Sequence, residues 1–314
     1  MNGCENRRMP SKFIFLPAVF ILVPLIEIAY HNFVESRIPQ RQDYKTASSI
    51  IKSRFMKDDL VVINPWWATE GWLYLGDFMT VEKMAREDDR GYGRIWEVAW
   101  KGRIVENYKK EGKLEEEWDA GRLVVRLWKF PSAPENLYDF VAKVESASVE
   151  MTDSDRRVEK TCSFRKNPPA GIGSVNIVQT GKFICNPSLP WNTVHREVIA
   201  DLDNKPRLCI WAHPITNKRV KITFNDVPSG AFLEGHMGLK YEADREGTGK
   251  PPVFLDIFAS EILVGSAMHE EGKGWVPYRF AMPHGWNGGK VTFEVHTPFD
   301  GMQHFCFTAK LRDK

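Results

Sequence analysis

The pattern of hydrophobic and polar positions divides the chain into three parts, and the first is an apolar run near the N-terminus. Residues 13–26 (FIFLPAVFILVPLI) contain no polar side chain. Three basic residues precede the run: Arg7, Arg8 and Lys12. Such a segment favours a cytoplasmic N-terminus, and no small-residue cleavage pattern follows it. We therefore expect a cytoplasmic tail over 1–12 and an uncleaved signal anchor, one transmembrane helix, over 13–30.

The second part, residues 36–135, alternates between helical and strand patterns. Asp43 can cap a helix with one apolar face (DYKTASSIIKSRF), and Thr80 can cap a second one (VEKMAREDD). The charged stretch 104–118 is expected to be partly helical. Three apolar runs predict strands: LVVINP, IWEVAW and RLVVRLWKF. Helix–strand alternation with short links predicts a small parallel or mixed α/β sheet.

The third part, residues 146–314, consists of short alternating runs separated by Gly, Pro, Asn and Asp. The runs are ASVEM, KTCSF, GKFIC, HREVIADL, RLCIWAH, RVKITF, PVFLDIF, EILVGSA, VPYRFAM, GKVTFEVHT and HFCFTAKL. This spacing predicts an antiparallel β-sandwich or jelly roll. Residues 136–144 (NLYDFVAKV) are expected to form a linking helix, and no helical pattern follows Val144. The fold class is thus α/β plus all-β.

Charge and composition limit the classes of partner that we expect for this chain. The 43 Lys and Arg residues nearly balance 41 Asp and Glu, giving a net charge of +2. A nucleic-acid-binding protein normally has a basic patch or stripe, so we expect no nucleic-acid partner. No Gly-rich phosphate loop and no metal-ligand spacing of His is present, so we expect no cofactor and no metal. Eleven Trp are many for this length, and Trp lines binding faces as well as cores.

Cysteine usage allows disulfides beyond the apolar run. Cys4 precedes that run. The remaining four form an even set that allows up to two disulfides in three pairings: Cys162, Cys185, Cys209 and Cys306. The alternative is that Cys209 and Cys306 are small buried residues on strands.

Polar and aromatic residues crowd onto the loop that follows the first apolar strand. They are Asn64, Trp66, Trp67, Glu70 and Asp77. Open α/β sheets usually bind ligands at the carboxyl edge of their strands, so this loop is a candidate second site for a sugar or a lipid headgroup. The alternative is an aromatic loop that packs on the sandwich or on a membrane surface.

A second set of Trp, His and Glu lies at the predicted strand ends of the sandwich. The candidate glycan-binding residues are Trp211, His213, Glu234, Trp275, His284 and Trp286. Trp211 lies in an apolar run (LCIWA), which favours a core position, whereas Trp275 and Trp286 follow Gly-rich turns, which favour exposure. The alternative is that these His residues are structural hydrogen-bonding groups.

No sequence motif marks a catalytic residue. No G-x-S-x-G motif is present, and the separation of paired carboxylates in glycoside hydrolysis is spatial. Four carboxylates could belong to such a pair: Asp201, Glu234, Asp256 and Glu294.

Two resemblances add expectations. The apolar segment is followed by DYKTASSIIKSRFMKDDLVVINP and then by WLYLGD. In this order of segments, residues 13–130 resemble the soluble tail of lipid-linked sugar transferases of the protein-mannosyltransferase and aminoarabinose-transferase type. Those enzymes keep their catalytic acids in a large membrane domain that this chain lacks, so no catalytic residue carries over. The strand pattern of the second half is similar to galactose-binding-like jelly rolls, including carbohydrate-binding modules.

Together these patterns indicate an accessory protein of surface-glycan or glycolipid assembly. It would be attached to the cell membrane by one helix, with its bulk in the periplasm or extracellular space. Its partners would be carbohydrate or glycolipid, and a membrane glycosyltransferase. One alternative is an envelope glycan-acting enzyme with an interdomain site. Another is a structural envelope protein.

Overall fold

The computed structural model describes the backbone of residues 12–131, 134–166, 181–189 and 191–314, with side chains from residue 19 onward. The chain forms two compact units. The first comprises Met1–Phe78 and Gly93–Pro131, and the second comprises Met79–Tyr92 and Ser132–Lys314. The predicted tail over 1–12 lies almost wholly outside the described residues.

Helices and strands alternate in the first part of the chain, and strands dominate the second. The helices are α1 (Lys12–Glu35), α2 (Arg41–Lys52), α3 (Trp72–Leu75), α4 (Val81–Met84), α5 (Glu106–Glu111) and α6 (Tyr241–Asp244). The strands of the first unit are β1 (Leu60–Asn64), β2 (Arg94–Trp100), β3 (Lys113–Ala120) and β4 (Leu123–Lys129). The strands of the second unit are β5 (Asn136–Asp139), β6 (Ser148–Thr152), β7 (Val158–Thr161), β8 (Ser163–Arg165), β9 (Lys182–Ile184), β10 (Thr193–Ala200), β11 (Pro206–Ala212), β12 (Arg219–Val227), β13 (Phe232–Leu239), β14 (Val253–Ala259), β15 (Ile262–His269), β16 (Val276–Ala281), β17 (Gly289–His296), β18 (Phe305–Phe307) and β19 (Lys310–Arg312).

The first unit is a small mixed α/β sheet, as predicted. Its strand order is β1-β2-β4-β3, with β1 and β2 parallel and the other pairs antiparallel. Helix α2 buries Tyr44, Ala47 and Ile51. Asp43 accepts the Gln40 backbone N–H at 2.8 Å and so completes a capping box from the third helical position rather than capping the helix itself.

The charged stretch 104–118 is partly helical, as predicted, and its second part is strand. Only Glu106–Glu111 is helical, and the chain then forms β3 at the sheet edge. Because most side chains of β3 face water, its charges do not alternate with apolar residues, and the period-two signal of a half-buried strand is missing.

The predicted membrane anchor lies within α1. Among the described residues, no helix combines the length and apolar character needed to cross a bilayer. The anchor over 13–30 stays a prediction. Localisation stays a prediction from the sequence.

The second unit is a β-sandwich, as predicted. We call its two sheets the large sheet, which runs β5-β19-β13-β18-β11-β10-β9-β8 with β16 also paired to β13, and the small sheet, which runs β15-β14-β17-β12-β6-β7. A core of large apolar side chains lies between them. Its aromatic members include Phe140, Phe224, Phe293, Phe305 and Phe307, all fully buried.

The sequence pattern missed β13, a central strand of the large sheet. Its residues FLEGHMGL include two glycines that resemble turn signals. Both positions favour glycine because atoms of neighbouring residues lie close to the backbone there. A Cβ at Gly235 would lie 1.9 Å from the Thr308 carbonyl oxygen, and one at Gly238 would lie 2.9 Å from the Trp275 ring.

The predicted linking helix over 136–144 is wrong. Asn136–Asp139 is strand β5 paired with β19, and a 3-10 turn follows at Val144–Ser146. Phe140 and Val144 are buried in the sandwich core. The sandwich therefore begins before residue 146, because β5 and these side chains complete one edge of it.

Residues 79–92 belong to the second unit rather than to the predicted α/β domain. Thr80 caps α4 as predicted, by accepting the Lys83 N–H at 3.3 Å. Beyond α4, the Leu208 N–H donates to the Ala85 carbonyl at 2.6 Å, and Glu87 forms a 2.6 Å ion pair with Lys310. The segment thus lies beside β11 at Leu208, a residue that the short ladder between β11 and β18 does not reach.

Two disulfides cross-link the sandwich. Cys162 pairs with Cys185, and Cys209 pairs with Cys306. The second disulfide joins Cys209 of β11 to Cys306 of β18. These two strands share only a short ladder. The alternative of free buried Cys209 and Cys306 is therefore wrong.

Candidate functional site

The outer face of the large sheet carries the candidate site. Residues that face each other on successive strands form one row: Gly238 with Cys306, Cys306 with Trp211, and Trp211 with His195. Their strand neighbours Leu239, Phe305 and Ile210 lie in the core. Because successive side chains alternate between faces, the row points outward.

Trp275 extends this row beyond β13. It immediately precedes β16, whose Val276 is opposite Met237, and its ring lies over the bare backbone of Gly238. Trp211 and Trp275 both pack against a buried group formed by Ile199, Cys209 and Cys306. The disulfide is therefore part of the floor on which both indoles rest.

A cluster of aromatic rings surrounds Trp211. We call it the aromatic cluster, and its members are Trp191, His195, Trp211, His213 and His304. Ring centroids are 4.4 Å apart for Trp191 and His213, 5.5 Å for Trp211 and His304, and 5.4 Å for His213 and His304. The Trp211 indole N–H donates to the Trp191 carbonyl at 3.2 Å. Both Trp rings stay half-buried, so each offers part of its surface to solvent.

The imidazoles of the cluster are uncharged near neutral pH. Burial lowers the pKa of His213 to about 4. Burial likewise lowers the pKa of His195 and His304. His213 Nδ1 lies 2.8 Å from the Pro214 carbonyl oxygen. Since a carbonyl only accepts, we assign the proton of the neutral ring to Nδ1.

Glu197 supplies a carboxylate at the edge of the cluster. His195 Nε2 donates to Glu197 at 2.5 Å. Burial alone would raise the pKa of Glu197, but the hydrogen bond and the nearby Lys182 and Lys240 outweigh it, so the pKa is lowered. The carboxylate is 27% exposed. A partly open, ionised acceptor therefore lies beside the aromatic rings.

The structure brings together only part of the predicted sandwich set. Trp211, His213 and Trp275 share the outer face, although His213 is 3% exposed and lies against Trp191. Glu234 is on the same face, where it pairs with Arg312 at 3.0 Å.

The other two predicted residues lie elsewhere. His284 is exposed in the turn after β16, and Trp286 packs against the core between the sheets. This turn follows the end of β16 at which Ala281 pairs with Phe232. It is therefore at the far end of β13 from Gly238, about 20 Å along the strand.

The predicted loop site in the first unit includes one structural residue. Asn64 donates its amide to Glu97 at 2.9 Å, so it serves a buried carboxylate. Trp66 and Trp67 are 37% and 52% exposed. Glu70 and Asp77 are exposed as well.

The four candidate catalytic carboxylates all form ion pairs. Asp201 pairs with Arg207 at 2.7 Å, while Asp256 and Glu294 share Arg219 at 3.0 and 3.2 Å. Among the described residues, no group of three or more His, Cys, Asp or Glu could hold a metal ion.

Sequence reasoning missed His195, Glu197 and His304. The alternation in HREVIA predicted the strand but not which neighbour it would have. Trp191 and His304 stand in turns just before β10 and β18, and only the strand order brings these turns together.

No known protein family and no curated protein matches the chain. Among solved structures, it is similar to CBM51 of Clostridium perfringens GH95 in complex with methyl-galactose, at 13% identity and a TM-score of 0.28, over 37% of this chain and 80% of that one. It is also similar to tandem CBM51 modules of a family 98 glycoside hydrolase from Streptococcus pneumoniae, at 9% identity and a TM-score of 0.34, over 62% of this chain and 56% of that one.

The mannan-recognising module TmCBM27 matches at 11% identity and a TM-score of 0.25, over 38% of this chain and 80% of that one. These neighbours are carbohydrate-binding modules, but every TM-score is below 0.5, so function has to be argued from the site. The likeness to sugar-transferase tails is not shown and stays a prediction.

Proposed function

We propose that the chain binds carbohydrate on the outer face of the large sheet, with Trp191 and Trp211 as platforms. The observation that carries the proposal is the aromatic cluster itself, two half-buried indoles beside a partly open carboxylate. Sugars have apolar C–H faces and hydroxyl edges. An indole buries the face at low cost in side-chain entropy, and a carboxylate accepts from the hydroxyls.

The charges of the cluster itself favour a neutral ligand over an anion, and the cations Lys182 and Lys240 lie near Glu197 rather than within the cluster. The three imidazoles of the cluster have lowered pKa values and are uncharged near neutral pH. The ionised Glu197 would repel a phosphate or carboxylate placed against it. A neutral ligand with many hydroxyl groups needs no cationic partner and is not repelled by Glu197.

The role in surface-glycan or glycolipid assembly is part of this proposal. It includes attachment to the cell membrane and a membrane glycosyltransferase as partner. The apolar run 13–26 and the basic residues before it support the attachment. The resemblance of residues 13–130 to the soluble tail of lipid-linked sugar transferases supports a membrane glycosyltransferase as the partner.

A glycan array probed with the full chain tests the binding. We expect selective binding by the wild type. Trp211→Ala should weaken the affinity by about 30-fold, equivalent to about 2 kcal/mol, because an aromatic platform is lost. Trp286→Ala is the matched control, since this indole packs against the core at the other end of β13. It should lower the melting temperature and leave the affinity of the folded protein unchanged.

Two results would overturn the proposal. One is the absence of selective glycan binding by the wild type. The other is an equal loss of binding in the Trp211 and Trp286 variants.

A further inference from the structure

Trp275 stands apart from the aromatic cluster but shares its floor. Its ring covers Gly238, and it packs on the same disulfide group as Trp211. Going across the sheet, three steps lead from Trp275 through Gly238 and Cys306 to Trp211. Because neighbouring strands lie about 4.8 Å apart, the Cα atoms of Trp275 and Trp211 are about 14 Å apart.

We propose that Trp275 is a second platform of the same site, so that the site takes an oligosaccharide lying across the strands rather than a single sugar. This inference rests on the proposed carbohydrate binding. One pyranose ring is too small to lie on both indoles, whereas linked sugars can cover both and the floor between them.

The turn that carries Trp275 is fixed in the free protein. The N–H groups of Gly272 and Gly274 donate to the two carboxylate oxygens of Asp244 at 2.7 and 2.9 Å. His269 Nε2 donates to the Gly274 carbonyl at 2.8 Å. Asp244 and His269 are each 1% exposed. Binding a ligand at Trp275 would therefore require little ordering of the chain.

The turn favours glycine at two positions. Gly272 has φ of 82° and Gly274 has φ of 68°, values that side chains with a Cβ rarely adopt. The platform therefore depends on both the glycines and the carboxylate of Asp244.

Polar groups border the Trp275 platform as well. The His236 ring is parallel to the indole, with centroids 6.1 Å apart, and the Arg207 guanidinium lies 5.7 Å from the indole centroid. His236 stands two residues before Gly238 and so projects from the same face. The Arg207 guanidinium already donates to Asp201 and to the Arg86 and Glu87 carbonyls, and His236 is buried, so both groups support the indole from the protein side.

Titration calorimetry with sugars of increasing length tests the proposal. The probes are homo-oligosaccharides of galactose, mannose, xylose and N-acetylglucosamine, one to six residues long. For the best series, we expect the affinity of the wild type to rise with length and then level off. Trp275→Ala should weaken hexasaccharide binding about tenfold and leave monosaccharide binding unchanged. Trp275→Phe, which keeps a smaller ring, should restore part of the loss.

Asp244→Asn tests the turn, with Glu270→Gln as its control. Asn offers one acceptor oxygen where the carboxylate offers two. Asp244→Asn should therefore raise hydrogen exchange at Gly272 and Gly274 and reduce the gain with sugar length. Glu270 is exposed on the same turn, and its variant should behave like the wild type.

The outcomes separate the two proposals. Equal affinity of the wild type for one and six sugars, or an equal effect of Trp275→Ala at every length, would overturn the second platform alone. No binding of any probe would overturn the carbohydrate site itself.

Discussion

At the scale of single residues, Glu97 shows how a buried charge organises the first unit. Its side chain is fully buried. Asn64 and the Val105 N–H donate to one oxygen at 2.9 and 2.8 Å. Trp128 and Arg126 reach the other oxygen at 3.0 and 3.3 Å. Sequence reasoning took Asn64 for a ligand-binding residue because its partners lie far along the chain, where no local pattern reveals them.

Replacing Glu97 by Ala should destabilise the first unit by about 3–5 kcal/mol, since it leaves the Asn64, Val105 and Trp128 donors without their acceptor and removes one of the two carboxylates that pair with Arg126. Glu116→Ala is the control. Glu116 forms a half-exposed ion pair with Arg54, and such pairs contribute less than about 1 kcal/mol. Urea denaturation of the full chain measures both. Equal losses would contradict the role assigned to Glu97.

At the scale of elements, the pattern predicted most strands because half-buried strands alternate with period two. It failed where another effect replaced that alternation. Glycines needed for close approach disguised β13, and exposed charges disguised β3. The short strand β5 resembled a helix, because NLYDFVAKV buries side chains in a strand, a turn and a 3-10 segment together.

The two disulfides should differ in their contribution to stability. Cys209–Cys306 spans 97 positions and Cys162–Cys185 spans 23. By loop entropy in the unfolded chain, the first should stabilise by about 5 kcal/mol and the second by about 3 kcal/mol. Double Cys→Ala variants of each pair, compared by denaturation, measure the difference. A larger loss from removing Cys162–Cys185 would contradict this expectation.

At the scale of the whole molecule, the sequence predicted the fold class but named only some of the residues of the proposed site. Trp211 and Trp275 were identified because both are Trp beside turn or strand signals. Their neighbours His195, in β10, and His304, just before β18, are more than 100 positions apart in the chain and are brought together by the sheet order. Residues 79–92 joined the second unit through contacts such as the 2.6 Å ion pair of Glu87 with Lys310. Hydrophobic periodicity does not encode such pairings.

The most direct test of the central claim is oxidative footprinting of Trp side chains, with and without the oligosaccharide that the full chain binds best. The account predicts slower oxidation of Trp191 and Trp211 in the complex. Trp66 and Trp67, exposed in the first unit, should oxidise at the same rate in both samples. Protection of Trp66 and Trp67, with Trp191 and Trp211 unchanged, would contradict the account and place binding on the loop after β1.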